Sequence, residues 1–159
     1  NKGAAFNVEI AGSAANTNTV GFVNFDFDIT TGKYSVAGVQ YGATLAFWNA
    51  VRANLDAGFK TTAGSSTFDI ETTWTVAGKT GYYAPVMVSQ NGDIFVVGSA
   101  NSDGREHIRL MGENSFGIED LTVSQRSDFD YNDILVSLHL QPAKLVGVNI
   151  ESGQVPGGV

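Results

Sequence analysis

Asp128, Asp130 and Asn132 stand at alternate positions in the run Asp128-Phe129-Asp130-Tyr131-Asn132-Asp133, directly before the apolar segment Ile134 to Leu140. Oxygen-bearing side chains at every second residue of a tight loop can converge on one point. A hard cation with roughly six to eight oxygen ligands requires such convergence. Calcium fits this donor set; magnesium keeps its waters and resists an all-protein cage. The run follows the first half of an EF-hand loop and then departs from it, with Asp133 where that loop has glycine and His139 where it has its closing glutamate, so no helix-loop-helix is implied. A bidentate carboxylate could come instead from Glu119 or Asp120, in Phe116-Gly117-Ile118-Glu119-Asp120-Leu121. The sequence leaves that choice open.

The competing reading is a solvated acidic turn whose aspartates cap backbone amides. Charge distribution argues against it. Half of the sixteen acids lie between Asp103 and Asp133, with only three arginines among them. Like charges packed without a cation repel. The turn Asn101-Ser102-Asp103-Gly104 offers Asn101 and Asp103 as a possible second metal site, although this composition is also that of an ordinary polar turn. His107 and His139 read as surface or hydrogen-bonded structural groups, since zinc would need carboxylates to complete its shell. Adjacent Glu119 and Asp120 make a poor acid and base pair, because neighbours in a strand point to opposite faces. No Gly-x-Ser-x-Gly, His-Glu-x-x-His or phosphate-cradling glycine loop is present, so the chain is not expected to be an enzyme.

The elements that must position these residues are strands. Nineteen glycines, three prolines and no cysteine, with 43% hydrophobic residues, suit short strands joined by tight turns around a core without disulfides. Alternation predicts strands at Phe6 to Ile10, Val23 to Ile29, Tyr34 to Val39, Phe68 to Val76, Tyr83 to Ser89, Asp93 to Ser99, His107 to Met111, Ile134 to Leu140 and Leu145 to Ile150. Val23, Phe25, Phe27 and Ile29 should face the core, and Asn24, Asp26 and Asp28 the solvent. Asn91-Gly92 marks a hairpin. Leu45, Trp48, Val51, Arg52 and Leu55 fall at helical spacing, which predicts one short helix over Thr44 to Asp56. These elements make an all-β protein, an antiparallel two-sheet β-sandwich of jelly-roll type with one short helix. Residues 1–150 are expected to form a single domain and Glu151 to Val159 a tail or linker. Phe129 and Tyr131 are expected to anchor the acidic loop to the core, and Trp48, Tyr82 and Tyr83 mostly to pack inside, with at most one tyrosine free.

A net charge of −7 disfavours nucleic acid and anionic membrane surfaces, and no apolar run is long enough for a membrane-spanning helix. The opening Asn1-Lys2-Gly3 reads as a mature protein or an excised domain.

The ordered series Gly81-Tyr82-Tyr83-Ala84-Pro85, Gly98-Ser99-Ala100-Asn101-Ser102-Asp103-Gly104-Arg105-Glu106-His107-Ile108-Arg109, Phe116 to Leu121 and Asp128 to Val136 resembles the domain-of-unknown-function family numbered 4114. The likeness covers about residues 81 to 140, and the link Thr122-Val123-Ser124-Gln125-Arg126-Ser127 lacks the glycines usual there. Such domains occur in secreted bacterial surface proteins, including large repeat adhesins in calcium-rich surroundings. The resemblance therefore implies an extracellular or cell-surface location and a lectin-like role in cell adhesion. Two functions follow as expectations. One is a calcium-binding extracellular adhesion module, its calcium structural and its partner a carbohydrate or peptide on a cell or matrix surface. The other is a purely structural spacer or surface-layer domain stabilised by calcium.

Overall fold

The structure is a computed structural model and describes residues 3–14, 16–63, 67–125 and 127–140. The strand expected at Leu145 to Ile150 and the tail Glu151 to Val159 lie outside the described residues.

Period-two alternation becomes an all-β sandwich of two antiparallel sheets. The first sheet joins β1 (Ala5–Ser13), β6 (Thr67–Thr75), β9 (Ile108–Gly112), β10 (Ser115–Ile118) and β11 (Ile134–Leu140) in the order β6-β1-β11-β10-β9. The second joins β2 (Asn18–Asp28), β3 (Lys33–Val36), β4 (Val39–Gln40), β7 (Tyr82–Val88) and β8 (Ile94–Phe95) in the order β4-β3-β2-β7-β8, with β5 (Thr61–Ala63) also pairing with β2. One of the two sheets curls into a half-barrel. The helix α1 (Leu45–Ala53) follows β4.

β2 bears out the expected facing for Val23 and Phe25, which are buried, and corrects it for Phe27 and Ile29, which are exposed. Its even positions Val20 and Phe22, not its odd ones, enter the core that holds Val8, Ile10, Trp74, Ile118, Ile134 and Val136. Phe22 stacks on Trp74 there, with centroids 4.2 Å apart and planes at 8°. Val23 and Phe25 pack on the opposite side, with Phe47 and Val51 of α1 in a second core. The physical reason is the helix: it covers the other face of β2, so that strand needs apolar residues on both sides. Beyond its cover Phe27 is 45% exposed and Ile29 is 88% exposed.

A helix forms within the predicted span, because Thr44 caps it by accepting a hydrogen bond from the Phe47 amide (3.1 Å), but its buried face is Phe47 and Val51; of the predicted stripe, Leu45 is 69% exposed and Leu55 lies beyond the last turn. The strand expected at Tyr34 to Val39 is instead the hairpin β3-β4, turned at Ala37 and Gly38, both at positive φ. Asn91-Gly92 joins β7 to β8 as expected, with Gly92 at φ 89°. β8 is short because the chain then leaves the sheet. Asn101 organises that departure: its amide accepts from the Val96 N–H and donates to the carbonyls of Val96, Gly98 and Arg105. β5 and β10 were not anticipated; Ser115-Phe116-Gly117-Ile118 is too short to show a period.

Candidate metal centre

Three strand ends meet beside one another. Ile118 closes β10 opposite Ile108, which opens β9, and opposite Ile134, which opens β11. This register sets Glu119, His107 and Asp133 side by side at one end of the first sheet. The Glu119 amide donates to the His107 carbonyl (2.8 Å), and the chain then runs through a short 3-10 turn at Val123–Gln125 before the acidic run returns. Two glycines let that run lie flat against the sheet. A Cβ on Gly117 would overlap the Tyr131 carbonyl oxygen, and one on Gly12 would overlap the Asp133 carbonyl oxygen, to which the Ser13 amide donates at 3.0 Å.

Within the run, Phe129 and Tyr131 hold φ of 54° and 59°, a region that bulky side chains enter only under strain of roughly 1–3 kcal/mol each. Both have compensating contacts. Tyr131 is buried, with its hydroxyl donating to the Glu106 carbonyl (3.2 Å) and Arg109 stacked 4.0 Å over its ring. Phe129 packs on His107 and carries Arg105 over its ring at 4.7 Å. The aromatic residues thus anchor the loop as expected, and the aspartates between them turn to the other side.

Glu119, Asp128 and Asp130 converge there: one carboxylate oxygen from each lies within 4.8 Å of the others. Each carboxylate is oriented by one backbone N–H. Tyr131 donates to Glu119 Oε2 (3.1 Å), Asp130 to Asp128 Oδ1 (3.3 Å) and Asn132 to Asp130 Oδ1 (3.2 Å). Every one of them retains a second oxygen to offer. Glu119 is buried, whereas Asp128 and Asp130 are exposed, so the group is open to solvent on one side. The three acids can hold a metal ion.

Asp120 turns away from this group. Its Oδ2 accepts from the Asn16 amide (2.9 Å) and from Asn18 Nδ2 (3.0 Å), while its own amide donates to Asp133 Oδ2 (3.1 Å). The Asp133 carboxyl sits between those of Glu119 and Asp120. Burial, with the adjoining Glu119 carboxyl, pushes Asp133 up to about 7. Burial also raises Asp120, against the hydrogen bonds from Asn18 and Asn16. Five carboxyl groups therefore form a chain in which Glu119 and Asp133 are the middle links. Among the described residues none of the five joins an ion pair; those present are Lys79 with Asp26, His107 with Asp103, and Arg109 with Glu106.

The buried His107 braces the centre from behind. Its Nδ1 lies 3.0 Å from the Glu119 carbonyl and its Nε2 lies 2.8 Å and 3.0 Å from the two Asp103 oxygens. Both ring nitrogens are thus engaged, one by a backbone carbonyl and one by a carboxylate, and the ring is fixed in place. Asp103 thus faces His107, and Asn101 holds its own loop. Asn132 is exposed and next to the cluster in sequence.

Sequence reading named Glu119, Asp120, Asp128, Asp130, Asn132 and Asp133, and took His107 as a surface or hydrogen-bonded structural group; it missed Asn16 and Asn18. Asn18 lies 102 residues before its partner Asp120, and no local spacing reveals such a contact. Comparison with models of protein families, with curated proteins and with solved structures finds no match for this chain.

Proposed function

We propose that this chain is a calcium-binding extracellular adhesion module and not an enzyme, with calcium held by Glu119, Asp128 and Asp130 and completed by Asn132 or water. The observation that carries the reading is the convergence of three carboxylates with no cationic side chain paired to them among the described residues. Such a group repels itself unless a cation or protons neutralise it. An all-oxygen set that is partly open to water matches the needs of calcium better than those of zinc or copper. Calcium would supply charge neutralisation and cross-linking: it would tie the end of β10 to the loop ahead of β11. The resemblance of its motifs to the family numbered 4114 is the ground for the surface location and the adhesive role.

A ligand of its own is favoured by a second feature. Phe25, Phe27, Tyr34, Tyr41, Tyr82 and Tyr83 line an open cleft of 680 Å³ in the second sheet, where Tyr82 is 74% exposed. Exposed rings of this kind stack on the apolar faces of sugars or on peptide side chains. The spacer reading dispenses with that cleft.

Thermal unfolding in millimolar calcium against chelator, with Asp130→Ala alongside, tests the metal. Calcium at about a hundred times its dissociation constant stabilises by about 2.7 kcal/mol, a rise of several degrees that the variant should lose. Equal melting in both conditions would sink the proposal. Screening against glycans and peptides, with Tyr82→Ala as control, separates adhesion from spacing.

A further inference from the structure

The three converging acids use only part of the carboxyl chain. On its inner side, Asp120 and Asn18 are each 1% exposed, and Asp120 Oδ1 and Asn18 Oδ1 are buried oxygens with no hydrogen-bond donor among the described residues. An orphaned buried acceptor costs about 1–3 kcal/mol, and more when charged. The Asn18 amide cannot escape by rotating. Its Nδ2 donates to Asp120 Oδ2 and to the Asn16 carbonyl, and exchange of the two amide atoms would set its oxygen against both of these acceptors. Asp120 is equally fixed, since Asn16 and Asn18 both bind its Oδ2 and leave Oδ1 on the carboxyl that adjoins Asp133. Asp133 Oδ2 in turn is held by the Asp120 amide. Two fixed carboxylates and one fixed amide oxygen, with Asp120 and Asn18 out of water and short of donors, suit a divalent cation.

We propose a second, inner calcium position bounded by Asp120, Asp133 and Asn18, beside the outer one at Glu119, Asp128 and Asp130. It rests on the reading of the outer group as a calcium site. Its structural consequence differs, however. The outer ion closes a loop between neighbouring strands of one sheet, whereas the inner ion joins the start of β2 in the second sheet to the loop that leaves the first. The inner position would bridge the two layers of the sandwich through Asn18, and the Glu119 and Asp133 carboxyls lie between the ions.

Equilibrium dialysis of the full chain against calcium, with bound metal counted per chain, is the test. The wild type should hold two ions, Asp120→Asn one and Asp130→Asn one. A wild type that holds a single ion, unchanged by Asp120→Asn and lost in Asp130→Asn, would overturn the inner site and leave the outer intact. No bound ion at all would overturn both the inner site and the functional reading. Because Asp120→Asn could unfold the chain, the wild type is also loaded with mixed terbium and europium. Energy transfer from terbium to europium within single chains is expected from two adjacent positions, and its absence at saturating load speaks against the pair.

Discussion

Two buried carboxyl environments in this protein show opposite solutions to the same problem. Asp56 lies between α1 and β5 and accepts hydrogen bonds from Trp74 Nε1 (2.8 Å) and the amides of Gly58 (3.0 Å), Ala77 (3.0 Å) and Gly78 (2.8 Å). Burial works against its charge, yet the four donors together hold its carboxyl below the usual range. Asp120 is also buried and Asp133 partly so, but they face each other and Glu119, and one Asp120 oxygen has no donor among the described residues. Donor supply separates a structural carboxylate from one that suits a cation. Acid-rich composition alone does not.

The comparison is broken most severely at Asp56. Asp56→Ala would leave the Trp74 indole N–H and three backbone N–H groups without their acceptor. At about 1–3 kcal/mol for each donor that stays buried, and with some rescued by water, a loss of roughly 3–5 kcal/mol is expected. It should be the same in calcium and in chelator. A calcium-dependent loss, measured by denaturant unfolding, would show that the two environments are coupled after all.

Next in size is Glu119→Gln, which keeps the shape and removes a charge shared by both halves of the carboxyl chain. In chelator the variant should be as stable as the wild type or more so, because repulsion on Asp133 is relieved. In calcium it should fall behind by about 2–3 kcal/mol, the stabilisation that metal binding provides. Destabilisation of equal size in both conditions would mark Glu119 as a structural group like Asp56.

These assignments were unequally legible in the sequence. The alternation Asp128, Asp130, Asn132 and the pair Glu119-Asp120 are local, so spacing alone found the acids. Which of Glu119 and Asp120 joins Asp128 and Asp130 depends on strand register: β10 ends at Ile118, and the next two side chains diverge. Asn18 and His107 reach the centre only through pairing between distant segments. β2 misled for a related reason, since a strand with apolar residues on both faces does not announce which face meets the other sheet. Asp56 gave no signal, because its donors are mostly backbone amides, which every residue type carries.

Gly117→Ala sharpens the comparison without touching any charge. Its new Cβ would overlap the Tyr131 carbonyl oxygen, and the loop must lift from the sheet to make room. Calcium affinity is expected to fall about tenfold or more, near 1.4 kcal/mol, by calorimetric titration. The hydrogen bonds around Asp56 should be undisturbed, so stability in chelator should fall by less than in calcium. Unchanged affinity would mean that the seat of the loop does not set the geometry of the acids.

The mildest test is pH, where the two environments have opposite signs. Asp56 titrates lower in the folded protein than in the unfolded chain, so its contribution is present above the unfolded value of 3.8 and disappears as pH falls through the still lower folded one. Asp133 is raised from 3.8 to about 7, so the folded protein binds that proton more tightly. In chelator, stability should therefore decline as pH rises from 5 towards 7 and level off above it, by an amount that the partial exposure of Asp133 keeps small. Calcium should flatten this decline, because it takes over the neutralisation that the proton provides at lower pH. Melting curves in chelator that improve steadily from pH 5 to pH 8 would show that the Asp133 carboxyl has found donors of its own, and the contrast with Asp56 would collapse.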